Sequence, residues 1–294
     1  MAGLNAQFAL VSGDARAVIG SVGAEPLAWS VGGRELLWQP DPTVWARTSP
    51  VLFPIVGRAA GGIIRVGGRA YDMPIHGFAP DSAFEPVEHE EDRLRLVLRD
   101  DADTRRHYPF AFSLTVDYRL GGNGALSATF EAANMSDVAM PYALGLHPGF
   151  RWPFAGGARD GYAIEFEADE NPNVPLITPQ GLFSSESRSL PLRGRSLALD
   201  DELMTREALC FLDARSGALR FVGPDGSAIR IEVENFPHFA LWSRPPAPYL
   251  CIETWTGHGD PDGFAGELSE KPSMRRLAPG AVARHAVAMT FFSS

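Results

Sequence analysis

Apolar and polar residues alternate with a period of two through several windows of this chain, the mark of half-buried β-strands. The clearest are residues 94–98, 112–120, 125–132 and 229–234, and residues 281–292 suit a closing strand. Gly121-Gly122-Asn123-Gly124 separates the second and third windows and predicts a β-hairpin. Helical periodicity is scarce. Residues 200–209, with acidic side chains in the first turn, predict one short helix. The 30 glycines and 24 prolines are spread along the whole length, with no repeat, low-complexity tract or linker. The pattern predicts an all-β protein built of large antiparallel sheets in a sandwich with few short helices, as one domain over residues 1–294.

Composition changes this picture little. A chain of 294 residues with 45% hydrophobic and 21% charged residues can bury a sizeable core. The net charge of −10 argues against nucleic acid and an anionic membrane as partners, since both need a basic face. No apolar run is long enough to span a bilayer. The opening Met1-Ala2-Gly3-Leu4-Asn5 lacks the basic start and apolar stretch of a secretory signal, which points to the cytoplasm. Cys210 and Cys251 have no framework spacing and sit among apolar residues, so buried free thiols are expected. Asn134-Met135-Ser136 matches a glycosylation sequon, which carries no meaning without secretion. Glu88-His89-Glu90-Glu91-Asp92 reads as a solvated turn.

Three segments carry candidate chemistry. His76 lies in Pro74-Ile75-His76-Gly77-Phe78, a rigid loop of the kind that mounts functional groups, although backbone hydrogen bonds alone would also satisfy it. His147 lies in Gly145-Leu146-His147-Pro148-Gly149-Phe150. The residue before a proline is driven to an extended conformation, so His147 should project from a strand end; a core histidine in an aromatic cluster is the plainer reading. Glu253 lies in Cys251-Ile252-Glu253-Thr254-Trp255-Thr256-Gly257. A carboxyl in such an apolar strand is costly to bury unpaired and has its pKa raised toward the range of a general base; a buried ion pair with an arginine is the alternative. Arg58, after an apolar run, can fork onto sugar hydroxyls or hold a carboxylate. Trp242 and Trp255 read more simply as core. His76, His147 and Glu253 also make a possible two-histidine, one-carboxylate metal set. There is no zinc-protease, phosphate-loop or serine-hydrolase motif, and Gly257-His258-Gly259-Asp260 lacks the context of a dinucleotide site.

Taken in order, Leu52-Phe53-Pro54-Ile55-Val56-Gly57-Arg58, His76-Gly77-Phe78, Gly145-Leu146-His147-Pro148 with Phe150, Phe239-Ala240-Leu241-Trp242-Ser243 and the Cys251–Gly257 segment resemble the aldose 1-epimerases (galactose mutarotases), in particular their bacterial LacX-like branch. The resemblance implies a galactose mutarotase-like β-supersandwich with a sugar cleft. It also implies a cofactor-free, metal-free isomerase acting on a small-molecule sugar, as a monomer or homodimer. By the same resemblance Glu253 is the general base on the C1 hydroxyl and His147 the acid on the ring oxygen. His76 would assist there, and Arg58 and Glu207 would bind sugar hydroxyls. A non-catalytic carbohydrate-binding or sensor protein on the same fold is the alternative. Three positions depart from the family pattern: Gly149 stands where an aromatic residue is usual, Thr254 where proline is, and Glu207 where aspartate is. For Glu207 an acid in the first turn of a short helix is the other reading. A phosphorylated substrate would call for basic residues at the cleft, and the sequence alone assigns none.

Overall fold

The computed structural model describes residues 5–294; the opening residues 1–4, on which the signal-peptide expectation partly rests, lie outside them. Two antiparallel sheets dominate. The larger has nine strands in the order Ser196–Ala198, Ala163–Phe166, Ala218–Val222, Ala228–Glu234, Val282–Phe292, Leu126–Asn134, Phe112–Leu120, Arg93–Arg99 and Glu85–His89. The second runs Leu209–Phe211, His238–Trp242, Tyr249–Trp255, Gly145–Leu146 and Val51–Leu52, with Gly149–Arg151 also paired to Tyr249–Trp255. An N-terminal sheet, Gln7–Ser12, Ala15–Gly20, Pro26–Val31 and Arg34–Glu35, completes the main architecture.

The expected strands are present. In Phe112–Leu120 and Leu126–Asn134 every second residue is buried, so the alternation sets the register from Phe112↔Asn134 to Leu120↔Leu126. Their inward residues Leu114, Val116 and Phe130 join Ile231, Leu241, Leu250 and Ile252 of the neighbouring strands in one core cluster fed by both large sheets. Burial on this scale stabilises each such side chain by about 1.5–3 kcal/mol.

Several expectations need correction. The helix predicted over 200–209 is only Asp201–Met204. Asp200 caps it by accepting from the Leu203 N–H, the Thr205 hydroxyl turns back onto the Glu202 carbonyl, and Leu209–Phe211 pairs with His238–Trp242 instead of continuing the helix. The acidic run at 88–92 is a turn only in its second half, since Glu88 and His89 belong to an edge strand. Cys210 and Cys251 are buried and free, as expected. Asn134 is fully buried and its amide donates to the carbonyls of Val138 and Leu277, both at 2.8 Å, so the sequon asparagine offers no surface to modify. No helix among the described residues is long and apolar enough to cross a membrane.

Candidate active site

The second sheet builds the site by strand parity. In Tyr249–Trp255 all seven residues are buried, but on two different faces. Leu250 and Ile252 enter the shared core, whereas Cys251, Glu253 and Trp255 point the other way, Cys251 into a small cluster with Trp38 and Tyr249 and the other two toward a cleft of about 1260 Å³. Directly opposite Glu253 stands Ala240, and opposite Ala240 stands Cys210, so no large neighbour across the ladder covers the carboxyl. Thr254 faces away from the cleft, and its departure from the family pattern leaves the cleft chemistry untouched.

Proline explains where His147 stands. Gly145–Leu146 and Gly149–Arg151 both pair with Tyr249–Trp255, and His147-Pro148 interrupts them. Pro148 has no N–H for the ladder, though its carbonyl still accepts from Ile252 N–H at 3.1 Å. The His147 N–H goes instead to the Pro50 carbonyl at 3.1 Å, and the side chain reaches across to Glu253. His147 Nε2 lies 3.2 Å from Glu253 Oε1, with both residues more than nine-tenths buried. The second carboxyl oxygen, Oε2, accepts the Trp255 indole N–H at 3.0 Å. Glu253 thus has a histidine and an indole as partners, not the arginine that a structural ion pair would need.

Burial decides the protonation of this pair. Loss of water disfavours charge, so the Glu253 carboxyl is pushed up to about 8, with the Trp255 hydrogen bond opposing, and His147 is driven well below the usual histidine range. A second positive charge at His76 would push His147 in the same direction. Three aromatic neighbours fix its ring. Trp45 stacks on it at 5.0 Å and 28°, Trp242 meets it edge-on at 5.9 Å, and His76 does so at 5.6 Å. Trp45 was not singled out in the sequence, and Trp242 and Trp255, expected in the core, line the cleft.

His76 is held in a left-handed conformation, φ 64°, uncommon for a residue with a side chain. The next residue must be glycine: a Cβ on Gly77 would lie 2.1 Å from the Phe53 carbonyl oxygen. The His76 N–H donates to the Gly57 carbonyl at 2.8 Å, and its Nδ1 accepts the Gly57 N–H at 3.2 Å. Accepting at Nδ1 leaves the proton on Nε2, so His76 is a neutral ring with one N–H to give. Burial and the positive charge of Arg58 lower its pKa to about 4, in keeping with that tautomer. The ring is still partly open to the cleft, where a substrate can reach it.

Arg58 is exposed and lines the cleft. Glu207 lines it too, beyond the end of the short helix, which removes the reading of it as a first-turn helix acid. Its Oε1 lies 2.8 Å from Nε of Arg188, an ion pair, though not at hydrogen-bonding angles. Gly149 does not widen the cleft. Trp45, from a distant loop, fills the space an aromatic side chain there would claim. Among the described residues no group of three His, Cys, Asp or Glu is arranged to hold a metal ion.

The sequence profile described as aldose 1-epimerase matches residues 7–289. The chain belongs to the aldose 1-epimerase family. It is 30% identical over 259 residues to the chromosomal protein LacX of Lactococcus lactis subsp. lactis, covering 84% of this chain and 86% of that one. Among solved structures it is similar to a galactose mutarotase related enzyme from Lactobacillus acidophilus, with a TM-score of 0.91, 28% identity and 98% of each chain covered. A galactose mutarotase-like protein from Lactobacillus casei ATCC 334 gives the same TM-score at 25% identity, over 98% of this chain and 100% of that one. The galactose mutarotase-like β-supersandwich expected from the sequence is therefore the fold of this family member.

Proposed function

We propose that this family member is itself a cofactor-independent mutarotase that interconverts the α and β anomers of an aldose. The observation that carries this reading is the direct contact of His147 with Glu253, 3.2 Å apart, in an aromatic-walled cleft. Anomerisation moves protons at two oxygens on one carbon, the C1 hydroxyl and the ring oxygen. An acid and a base that touch each other can address both at once.

Glu253, as the carboxylate, takes the hydroxyl proton while His147, as the imidazolium, gives one to the ring oxygen. The bond from C1 to the ring oxygen breaks and the C1 carbonyl forms. Rotation about C1–C2 presents the other face of the carbonyl, and closure returns both protons. The Nε2–H of His76 supplies a further donor at the ring oxygen, while Arg58 and Glu207 hold hydroxyls. After ring opening both Glu253 and His147 are neutral, which is the state that a dry site favours. By the same shifts the pair also rests neutral before reaction, so the reactive carboxylate–imidazolium form is reached by passing the proton across the 3.2 Å contact. The reading takes residues 1–294 as one domain, acting in the cytoplasm on a free sugar as a monomer or homodimer; the core shared by both large sheets supports the single domain.

Polarimetry on freshly dissolved α-anomers tests it. Wild type should speed the approach to equilibrium for at least one aldose, and Glu253→Gln and His147→Asn should each lower kcat by about 10²–10⁴-fold. Sugar binding without acceleration would overturn this reading in favour of a non-catalytic carbohydrate-binding or sensor protein.

A further inference from the structure

We infer that the aldose taken by this cleft carries a negative charge on the exocyclic carbon attached to C5, as a phosphate ester or a carboxylate. The inference rests on the mutarotase reading and gives it a substrate class.

The chain has a net charge of −10, yet its cleft is lined by three arginines, Arg47, Arg58 and Arg244. Apart from Glu253, the acids lining it are Asp81 and Glu207, and both already have partners. Asp81 is bonded to Arg47, which also lies 3.8 Å from the buried Glu25, and Glu207 is paired with Arg188. Arg58 and Arg244 have no carboxylate within ion-pair distance among the described residues. Glu253 does not balance them, since burial keeps it largely uncharged near neutrality. Two guanidinium charges thus face the cleft without a counter-charge, in a protein whose overall field would repel an anion elsewhere.

Their positions match one part of a sugar. In a pyranose the carbon next to the ring oxygen is C5, which bears the exocyclic carbon. That group therefore leaves the ring on the side where the ring oxygen is protonated, the side of His147. Each uncompensated arginine lies near a ring that meets His147. His76 stands 5.6 Å from His147 and is hydrogen-bonded by Gly57, whose chain neighbour Arg58 acts on the His76 ring by its charge. Trp242 stands 5.9 Å from His147, with the Arg244 guanidinium 5.4 Å from its ring centre. The exposed Arg244 donates one Nη to the Val44 carbonyl at 2.8 Å and keeps its other N–H groups for a ligand. A neutral hydroxymethyl group would leave both charges unanswered, even with Arg58 also bonded to a ring hydroxyl, since a hydroxyl carries no charge. A phosphate or carboxylate accepts from a guanidinium fork through two oxygens.

The test compares sugars of matched configuration: glucose with glucose 6-phosphate and glucuronate, and galactose with galactose 6-phosphate and galacturonate. Each is measured against its own uncatalysed rate. An anionic sugar should exceed its neutral counterpart in kcat/KM by about tenfold or more, and added salt should shrink that advantage. Arg244→Gln, and separately Arg58→Gln, should lower the anionic-to-neutral ratio by about tenfold. Preference for the ester over the uronate, or the reverse, identifies the anion. A neutral sugar used as well as its anionic partners, or a ratio unmoved in both variants, overturns the inference and leaves the mutarotase standing. Failure to accelerate any of the six sugars overturns both.

Discussion

Trp45 and Gly149 fit together as one unit: a Cβ built on Gly149 would lie 2.6 Å from Cζ3 of the Trp45 indole. That indole is the ring stacked on His147, and it also packs on Tyr249 at 5.5 Å. The glycine thus makes room for an aromatic side chain delivered from elsewhere in the chain.

Gly149→Ala should therefore push the indole off its stack, costing about 1–3 kcal/mol in stability and lowering kcat by loosening His147. Trp45→Ala should relieve that clash, so the double variant should be more stable than the sum of the two single changes. Denaturant unfolding of all four proteins measures the coupling. Simple additivity would show that the two residues do not share the space.

Activity should be bell-shaped in pH, because the reaction needs one proton on the His147–Glu253 pair. Below the acid limb, which lies well under the usual histidine range, both groups are protonated and no base remains. Above about 8 the pair loses its one proton and no acid remains. These limbs belong to the pair rather than to either residue. Trp255→Phe removes the hydrogen bond that favours the carboxylate, so the alkaline limb should move up in pH. A limb that stays in place would show that the indole does not set the carboxyl's acidity.

The sequence displays what a half-buried sheet must display. The strands of the 112–134 hairpin and Ala228–Glu234 each bury one face, so their period of two is written in residue type. In Tyr249–Trp255 both faces are buried, one against the core and one beneath the cleft, so apolar type cannot tell them apart. For that reason Glu253 stands out in the sequence while the Trp242 and Trp255 beside it read as core. Trp45 was not legible at all, because it reaches His147 only through the fold. The 200–209 segment carries helical signals, but pairing with His238–Trp242 claims its last residue, Leu209.

Stability should also depend on Glu253. Its pKa is raised from 4.5 to about 8 on folding, so the folded state holds the proton more tightly. That contribution is fully present below about pH 4.5 and is lost as the pH rises through about 8. Glu253→Gln has no such proton to lose, and its amide can still accept from Trp255 through oxygen and donate to His147 through nitrogen. It should gain stability relative to wild type across this window, approaching roughly 4 kcal/mol at its alkaline end. Melting temperatures of the two proteins at pH 5 and pH 9 check the sign. A constant difference would mean that the carboxyl is not desolvated.

A buried ion pair braces the loop that carries Arg58. Lys271 is almost completely buried, its Nζ 2.9 Å from Asp260 Oδ1. Asp260 binds the neighbouring loop twice: its Oδ2 accepts from Ala60 N–H at 2.8 Å, and its own N–H donates to the Arg58 carbonyl at 2.9 Å. A Cβ on Gly57 would lie 2.7 Å from Gly259, so the two segments are in close contact there. Breaking one partner of such a pair leaves a buried charge and costs about 3–5 kcal/mol, whereas replacing both by apolar residues can be nearly neutral. Lys271→Met alone should therefore destabilise strongly, and Lys271→Met with Asp260→Leu should recover part of the loss. The double variant still lacks the bond to Ala60, so its Arg58 and His76 should be less well placed. It should show a raised KM with the limbs of its pH profile unmoved, since neither residue touches the His147–Glu253 pair. A double variant with wild-type KM would show that the buried pair serves the fold alone.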